Sequence, residues 1–239
     1  MNDWSPFLGL PLWAWLFVLP SLLVFTCYFS PNLAKKILTP IWFLLDKIYL
    51  ASGIIAAMFM ITILLIIIAQ MVARWTGVAF QGSSEFAGYA MAATSFFAMA
   101  YTLNQGAHIR VSILLNINNF TKMWVDVFAM LIAAITATYF ARYAVKTNFM
   151  SVMLNDRTQG QDQVPEWLLS IFSIFKSSPS EWRTIWDSAG NELVYTPVWL
   201  PQLSMSFGTI LLAVALWDNL SRLLINGETS IKSEGIPNE

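Results

Sequence analysis

Between Lys47 and Arg74 the chain carries no charged residue, and Ile48–Ala73 reads IYLASGIIAAMFMITILLIIIAQMVA. A helix crosses the hydrocarbon of a bilayer in about 20 apolar residues. This stretch is long enough and apolar enough to be such a helix. A second uncharged gap, FAGYAMAATSFFAMAYTLNQGA, lies between Glu85 and His108. A third candidate is Met123–Tyr143, with Asp126 near its start and Arg142 near its end. A fourth is Leu193–Trp217, bounded by Glu192 and Asp218. None of the four shows the alternating polar residues of a barrel strand, so all are expected to be helices.

Composition agrees with this reading. Only 11% of the 239 residues are charged and 57% are hydrophobic, whereas a soluble domain carries about 25% charged residues. Thirteen basic against fourteen acidic residues give a net charge of −1. No basic field exists to hold nucleic acid. One cysteine, Cys27, excludes a disulfide framework. With His108 as the only histidine, the sequence offers no set of metal ligands, and no cofactor is expected. The expected fold is an all-α integral membrane protein with four core transmembrane helices.

The N-terminal third adds to that core. Pro6–Phe29 is almost wholly apolar and no Lys or Arg precedes Lys35. The positive n-region and small-residue cleavage site of a signal peptide are missing. Residues 8–29, within a segment 1–31, are therefore expected to form an extra span. Residues 32–47 hold Lys35, Lys36, Trp42, Phe43 and Lys47. They read as an interfacial amphipathic helix, with basic residues toward headgroups.

Orientation follows from Lys and Arg in short loops. Placing Lys35, Lys36 and Lys47 inside also puts Arg110, Lys122, Arg222 and Lys232 inside, leaving Arg74 in the only short outside loop. The membrane domain is then 48–224, with a long outside segment 148–192 and a cytoplasmic tail 225–239. Within the outside segment, Pro165-Glu166-Trp167 and Pro179-Ser180-Glu181 carry helix-start signals. Two short amphipathic helices are expected there, against the membrane face, a partner, or the chain's own helix ends.

Small residues recur every four positions. Ala90, Thr94, Ala98 and Thr102 do so on the second span, and Ala129, Ala133, Ala137 and Ala141 on the third. Gly53 and Ala57 do so on the first. Such stripes let helix backbones approach closely in lipid, either within the chain or toward a larger partner. Asp218 and Arg222 are spaced i, i+4 and are placed to pair.

Three polar clusters punctuate the spans. Gln70-Met71-Val72-Ala73-Arg74-Trp75 closes the first, Gly82-Ser83-Ser84-Glu85-Phe86 opens the second, and Gly106-Ala107-His108-Ile109-Arg110-Val111 follows it. In this order they resemble the DctQ-like family, the small membrane subunit of tripartite ATP-independent periplasmic (TRAP) transporters. That family shows Q-V-x-x-R-Y, a Ser/Glu helix start and then G-x-x-H-(I/V)-R-V-D. Thr196-Pro197-Val198-Trp199-Leu200-Pro201 fits its Pro/Trp-rich opening of the last span. The resemblance covers roughly residues 44–224. Trp75 stands where the family often has Tyr, and Ser112 replaces the acidic residue after H-I-R-V.

The resemblance implies a non-enzymatic accessory role in the bacterial inner membrane, with the C-terminus cytoplasmic. A periplasmic substrate-binding protein would deliver an organic acid. A large membrane subunit would move it on an ion gradient, and this chain would scaffold that subunit. Membrane lipids are the remaining partner. The interface residues are expected to be Gln70, Arg74, Glu85, Ala90, Thr94, Ala98, Gly106, His108 and Arg110. Ser83 or Ser84 is expected to cap the second helix, with Glu85 in its first turn and Arg74 within reach. Two rivals remain. An enzyme using Asp126, His108 and Glu85 would need residues from opposite sides of the membrane. A stand-alone channel or sensor-coupled membrane domain would need a polar pore stripe or an attached soluble domain.

Overall fold

The computed structural model describes residues 6–105, 119–188 and 190–226. Among the described residues four helices are long and apolar enough to cross a membrane. They are α2 (Pro31–Thr76), α3 (Ser83–Asn104), α4 (Asn119–Leu154) and α7 (Trp199–Asn226). Ahead of them come a small antiparallel hairpin, β1 (Pro6–Phe7) and β2 (Leu10–Pro11), and an N-terminal arm. The arm is a five-residue π-helical turn, Ala14–Val18, running into an eleven-residue helix, α1 (Leu19–Phe29). Between α4 and α7 lie β3 (Gln163–Pro165), α5 (Glu166–Lys176), α6 (Trp182–Asp187) and β4 (Leu193–Tyr195).

Several boundaries move from where the sequence put them. Residues 32–47 are not a separate helix, because α2 runs unbroken for 46 residues. Pro40 sits inside it and removes one backbone donor. In lipid such a proline is tolerated, since neighbouring groups relieve the freed carbonyl. Helix α2 ends at Gly77, whose φ of 74° is open to glycine at little cost. Helix α4 continues past Tyr143 to Leu154. Helix α7 starts at Trp199, because residues 193–195 pair as β4 with β3. The two short helices expected after Pro165 and Pro179 are present as α5 and α6.

Helix α7 is the hub. It packs on α4 and α3, and also on α2 and the arm helix α1, while α2 lies mainly on α3. Small residues make these approaches possible. A Cβ on Gly208 of α7 would lie 2.6 Å from the backbone oxygen of Phe96, and one on Gly53 of α2 would lie 2.7 Å from the Tyr101 ring. The core contains Tyr49, Ala100, Ala134, Ala137, Ala141, Ala213 and Leu216. The alanine stripe of the third span, at Ala137 and Ala141, thus packs within the chain. Buried hydroxyls add interhelical hydrogen bonds, as expected where water is scarce. Ser52 donates to the Phe97 carbonyl, and Trp217 Nε1 donates to Thr138 Oγ1 at 2.9 Å.

The arm runs antiparallel to α4. Its π-turn meets α4, and at the far end Tyr28 meets Trp124 edge-on at 6.0 Å. Its helical part is shorter than the roughly 20 residues of a full span. Yet the stretch of α4 from Trp124 to Val145, along which the arm lies, is about 31 Å at 1.5 Å per residue.

Candidate partner interface

Each end of the bundle holds a buried carboxylate with its partners. At one end α2 and α7 meet over Arg222. Its Nη2 donates to Asp46 Oδ1 at 2.8 Å and lies 2.9 Å from Asp218 Oδ2. Its Nε donates to both oxygens of Asp218 at 3.1 Å. Tyr49, fully buried, donates to Asp218 Oδ2 at 3.3 Å. The guanidinium also sits 5.3 Å from the centre of the Trp42 ring, within cation–π range. Asp218 is 6% exposed. A lone buried carboxylate is costly, so the Arg222 fork and the Tyr49 hydroxyl together make this burial tolerable. The i, i+4 spacing of Asp218 and Arg222 is legible in the sequence, whereas Asp46 and Tyr49, far away in the chain, are not.

At the opposite end the segment after α4 folds back over the start of α3. Asp162, fully buried, accepts from Tyr89 Oη at 2.7 Å and from Thr158 Oγ1 at 2.9 Å. The Thr196 side chain donates to its carbonyl. Val164 pairs with Val194 at the centre of the β3–β4 ribbon. Gly82, with φ of 76°, lets the loop come close, since a Cβ there would lie 2.7 Å from the Gln161 oxygen and 2.8 Å from Asp162 Cα. The helix begins at Ser83. Ser83 and Ser84 are therefore inside the first turn, and no side chain caps it. Ser84 Oγ donates to Glu85 Oε2 at 2.9 Å, and the Gln161 amide donates to Glu85 Oε1 at 3.3 Å. Glu85 thus ties the loop to the helix, and among the described residues no ion pair links it to Arg74.

The expected interface residues separate into groups. Gln70 and Arg74 line one shallow cleft with Phe80, Gln81 and Gln161. Ala90 is 5% exposed and is covered by the chain itself. Thr94 Oγ1 donates to the Ala90 carbonyl at 2.9 Å, and the Ala98 carbonyl accepts from Thr102 at 3.0 Å. Gly106, His108 and Arg110 lie outside the described residues. The broad uncovered apolar surface is on α2, where Ile54, Met58, Ile61, Leu65, Ile68 and Trp75 are all exposed. Among the described residues no three His, Cys, Asp or Glu side chains gather as metal ligands.

Residues 63–175 match the model of the family described as tripartite ATP-independent periplasmic transporters, DctQ component. That stretch of the chain is similar to the DctQ family. The match takes in the latter part of α2, all of α3 and α4, and the chain as far as α5. Within it lie Gly82, Glu85, Tyr89, Thr158 and Asp162, which close one end of the bundle. Asp46, Tyr49, Asp218 and Arg222, which close the other, lie outside it. No curated protein and no solved structure matches the chain.

Proposed function

We propose that this chain is the small permease subunit of a TRAP transporter. In this reading it scaffolds a large membrane subunit during ion-gradient-driven uptake of an organic acid, which a periplasmic substrate-binding protein delivers. The DctQ match over residues 63–175 carries the reading. The geometry supports it in two ways. The hydrophobic core among the described residues is alanine-rich and packs within the chain. Helix α2 presents a long apolar face with no covering element, a surface on which a second helical subunit can pack.

The basic residues Lys35, Lys36 and Lys47 set the Arg222 end in the cytoplasm and the Asp162 end in the periplasm of the bacterial inner membrane. The arm then crosses with its N-terminus outside. Gln70, Arg74 and Glu85 sit at the periplasmic end, where the binding protein and large subunit would meet the chain. His108 and Arg110 belong to the cytoplasmic side and would contact lipid phosphates or a carboxylate of the large subunit.

The test is co-expression with a large TRAP permease subunit encoded in the same genome and recovery on a tag carried by this chain. The large subunit should co-purify. Leu65→Trp with Ile68→Trp on α2, and separately His108→Ala with Arg110→Ala, should reduce its recovery and solute uptake together. If the wild-type chain recovers no large subunit and its deletion leaves uptake intact, the reading is wrong.

A further inference from the structure

The arm does not close fully over the groove between α4 and α7. A slot of about 470 Å³ remains, half-open to the surroundings. Leu12, Trp15, Leu16 and Pro20 wall it on the arm side, Ala141 and Val145 on α4, and Ile210, Ala213 and Val214 on α7. Its size is that of a small-molecule site, commonly 300–1,000 Å³.

The lining decides what fits. Trp217 Nε1 donates to Thr138 Oγ1, and Thr138 in turn donates to the Ala134 carbonyl at 2.7 Å. These two polar groups are turned to each other. Arg142 is the one charged residue on the wall. Water needs two to four polar partners to stay in such a space, and the apolar walls do not supply them. A void of this volume would forfeit dispersion contacts along its length. The slot lies beside mid-helix residues of two helices long and apolar enough to cross a membrane, which sets it at the depth of the hydrocarbon.

We infer that this slot binds one acyl chain of a membrane phospholipid, held between the N-terminal arm and the α4/α7 groove. The lipid chain acts as the missing packing layer. It fills the space beside the π-turn, whose Trp15 and Leu16 line the slot, while the Tyr28–Trp124 contact holds the arm's far end to α4.

The experiment uses the full chain, with any subunit that co-purifies, in phospholipid nanodiscs containing a phosphatidylglycerol with a photoreactive diazirine acyl chain. After irradiation, adducts are mapped by peptide mass spectrometry. Labelling at Leu16 and Val214 should exceed that at Ile132, an exposed residue on another face of α4, by several-fold. Filling the slot from α7 with Ala213→Phe, or from the arm with Leu16→Trp, should bring labelling at Val214 down to the Ile132 level and leave Ile132 unchanged. Either variant keeps the test alive should the other fail to fold. Equal labelling at Val214 and Ile132 in the wild type overturns the inference. So does slot labelling that persists in both filled variants, or photo-adducts in which a partner helix occupies the slot.

Discussion

The Arg222 end and the Asp162 end each bury a carboxylate, and they hold it in different ways. At the first, a guanidinium one turn along α7 cancels the charge of Asp218, and Tyr49 and Asp46 of α2 reach the pair across the helix–helix seam. At the second, a loop supplies the carboxylate, and hydroxyls of Tyr89 and Thr158 with strand pairing do the holding. One end is fastened by charge within the bundle. The other is fastened by neutral donors and by close backbone approach at Gly82. The lesson is that breaking the first should loosen the whole bundle, while breaking the second should release a loop.

The sharpest break is Arg222→Met. It leaves Asp218 buried without its cation, and removal of one partner of a buried pair costs about 3–5 kcal/mol. A large fall in the thermal midpoint of the detergent-solubilised protein is expected, with α2 and α7 losing hydrogen-exchange protection together. Next comes Gly82→Ala. The new Cβ meets the Gln161 oxygen at 2.7 Å on a backbone of positive φ, a strain of about 1–3 kcal/mol. Proteolysis between residues 155 and 165 should quicken while the midpoint moves little. An equal collapse of both readouts would show that the ends are not separable. Tyr89→Phe removes one donor to Asp162 and should cost about 1 kcal/mol, visible as faster exchange in the β3–β4 ribbon alone. The smallest effect belongs to Asp46→Asn. The Asp46 side chain is 46% exposed, and an exposed ion pair contributes less than about 1 kcal/mol. A midpoint loss as large as that of Arg222→Met would mean that Asp46, rather than Asp218, anchors the arginine.

The sequence made some of this legible and hid the rest for physical reasons. Charge gaps located the four long helices, because lipid excludes charge over a fixed thickness. Pro-Glu and Pro-Ser-Glu signals located α5 and α6, because helix starts are local events. Boundaries went astray where locality failed. Lys35, Lys36 and Lys47 suggested a break before residue 48, but helix geometry carries on through charged residues when one face is supported. Leu193–Tyr195 read as the start of a span because its apolar run is too short to tell a strand from a helix. The candidate site suffered most. Arg222 finds Asp46 across 176 residues of sequence, and Tyr89 finds Asp162 across 73. No spacing rule reports such pairs. The four-residue stripes were visible, but whether alanines such as Ala90 face their own bundle or a partner depends on packing that the stripe does not encode.

Helix α2 has a consequence for the membrane itself. Its 46 residues make a rod about 69 Å long in a hydrocarbon slab of roughly 30 Å. Even at a tilt of 40°, near the upper limit seen for such helices, it covers about 53 Å of depth. Its first turns nonetheless show Leu33, Ile37, Phe43 and Leu44 to the surroundings, at 66%, 58%, 64% and 59% exposure. A rod longer than the slab carries apolar side chains past the edge of the hydrocarbon, where headgroups or another protein surface must cover them. Whatever lies along the full length of α2 has to stand taller than the core of the bilayer.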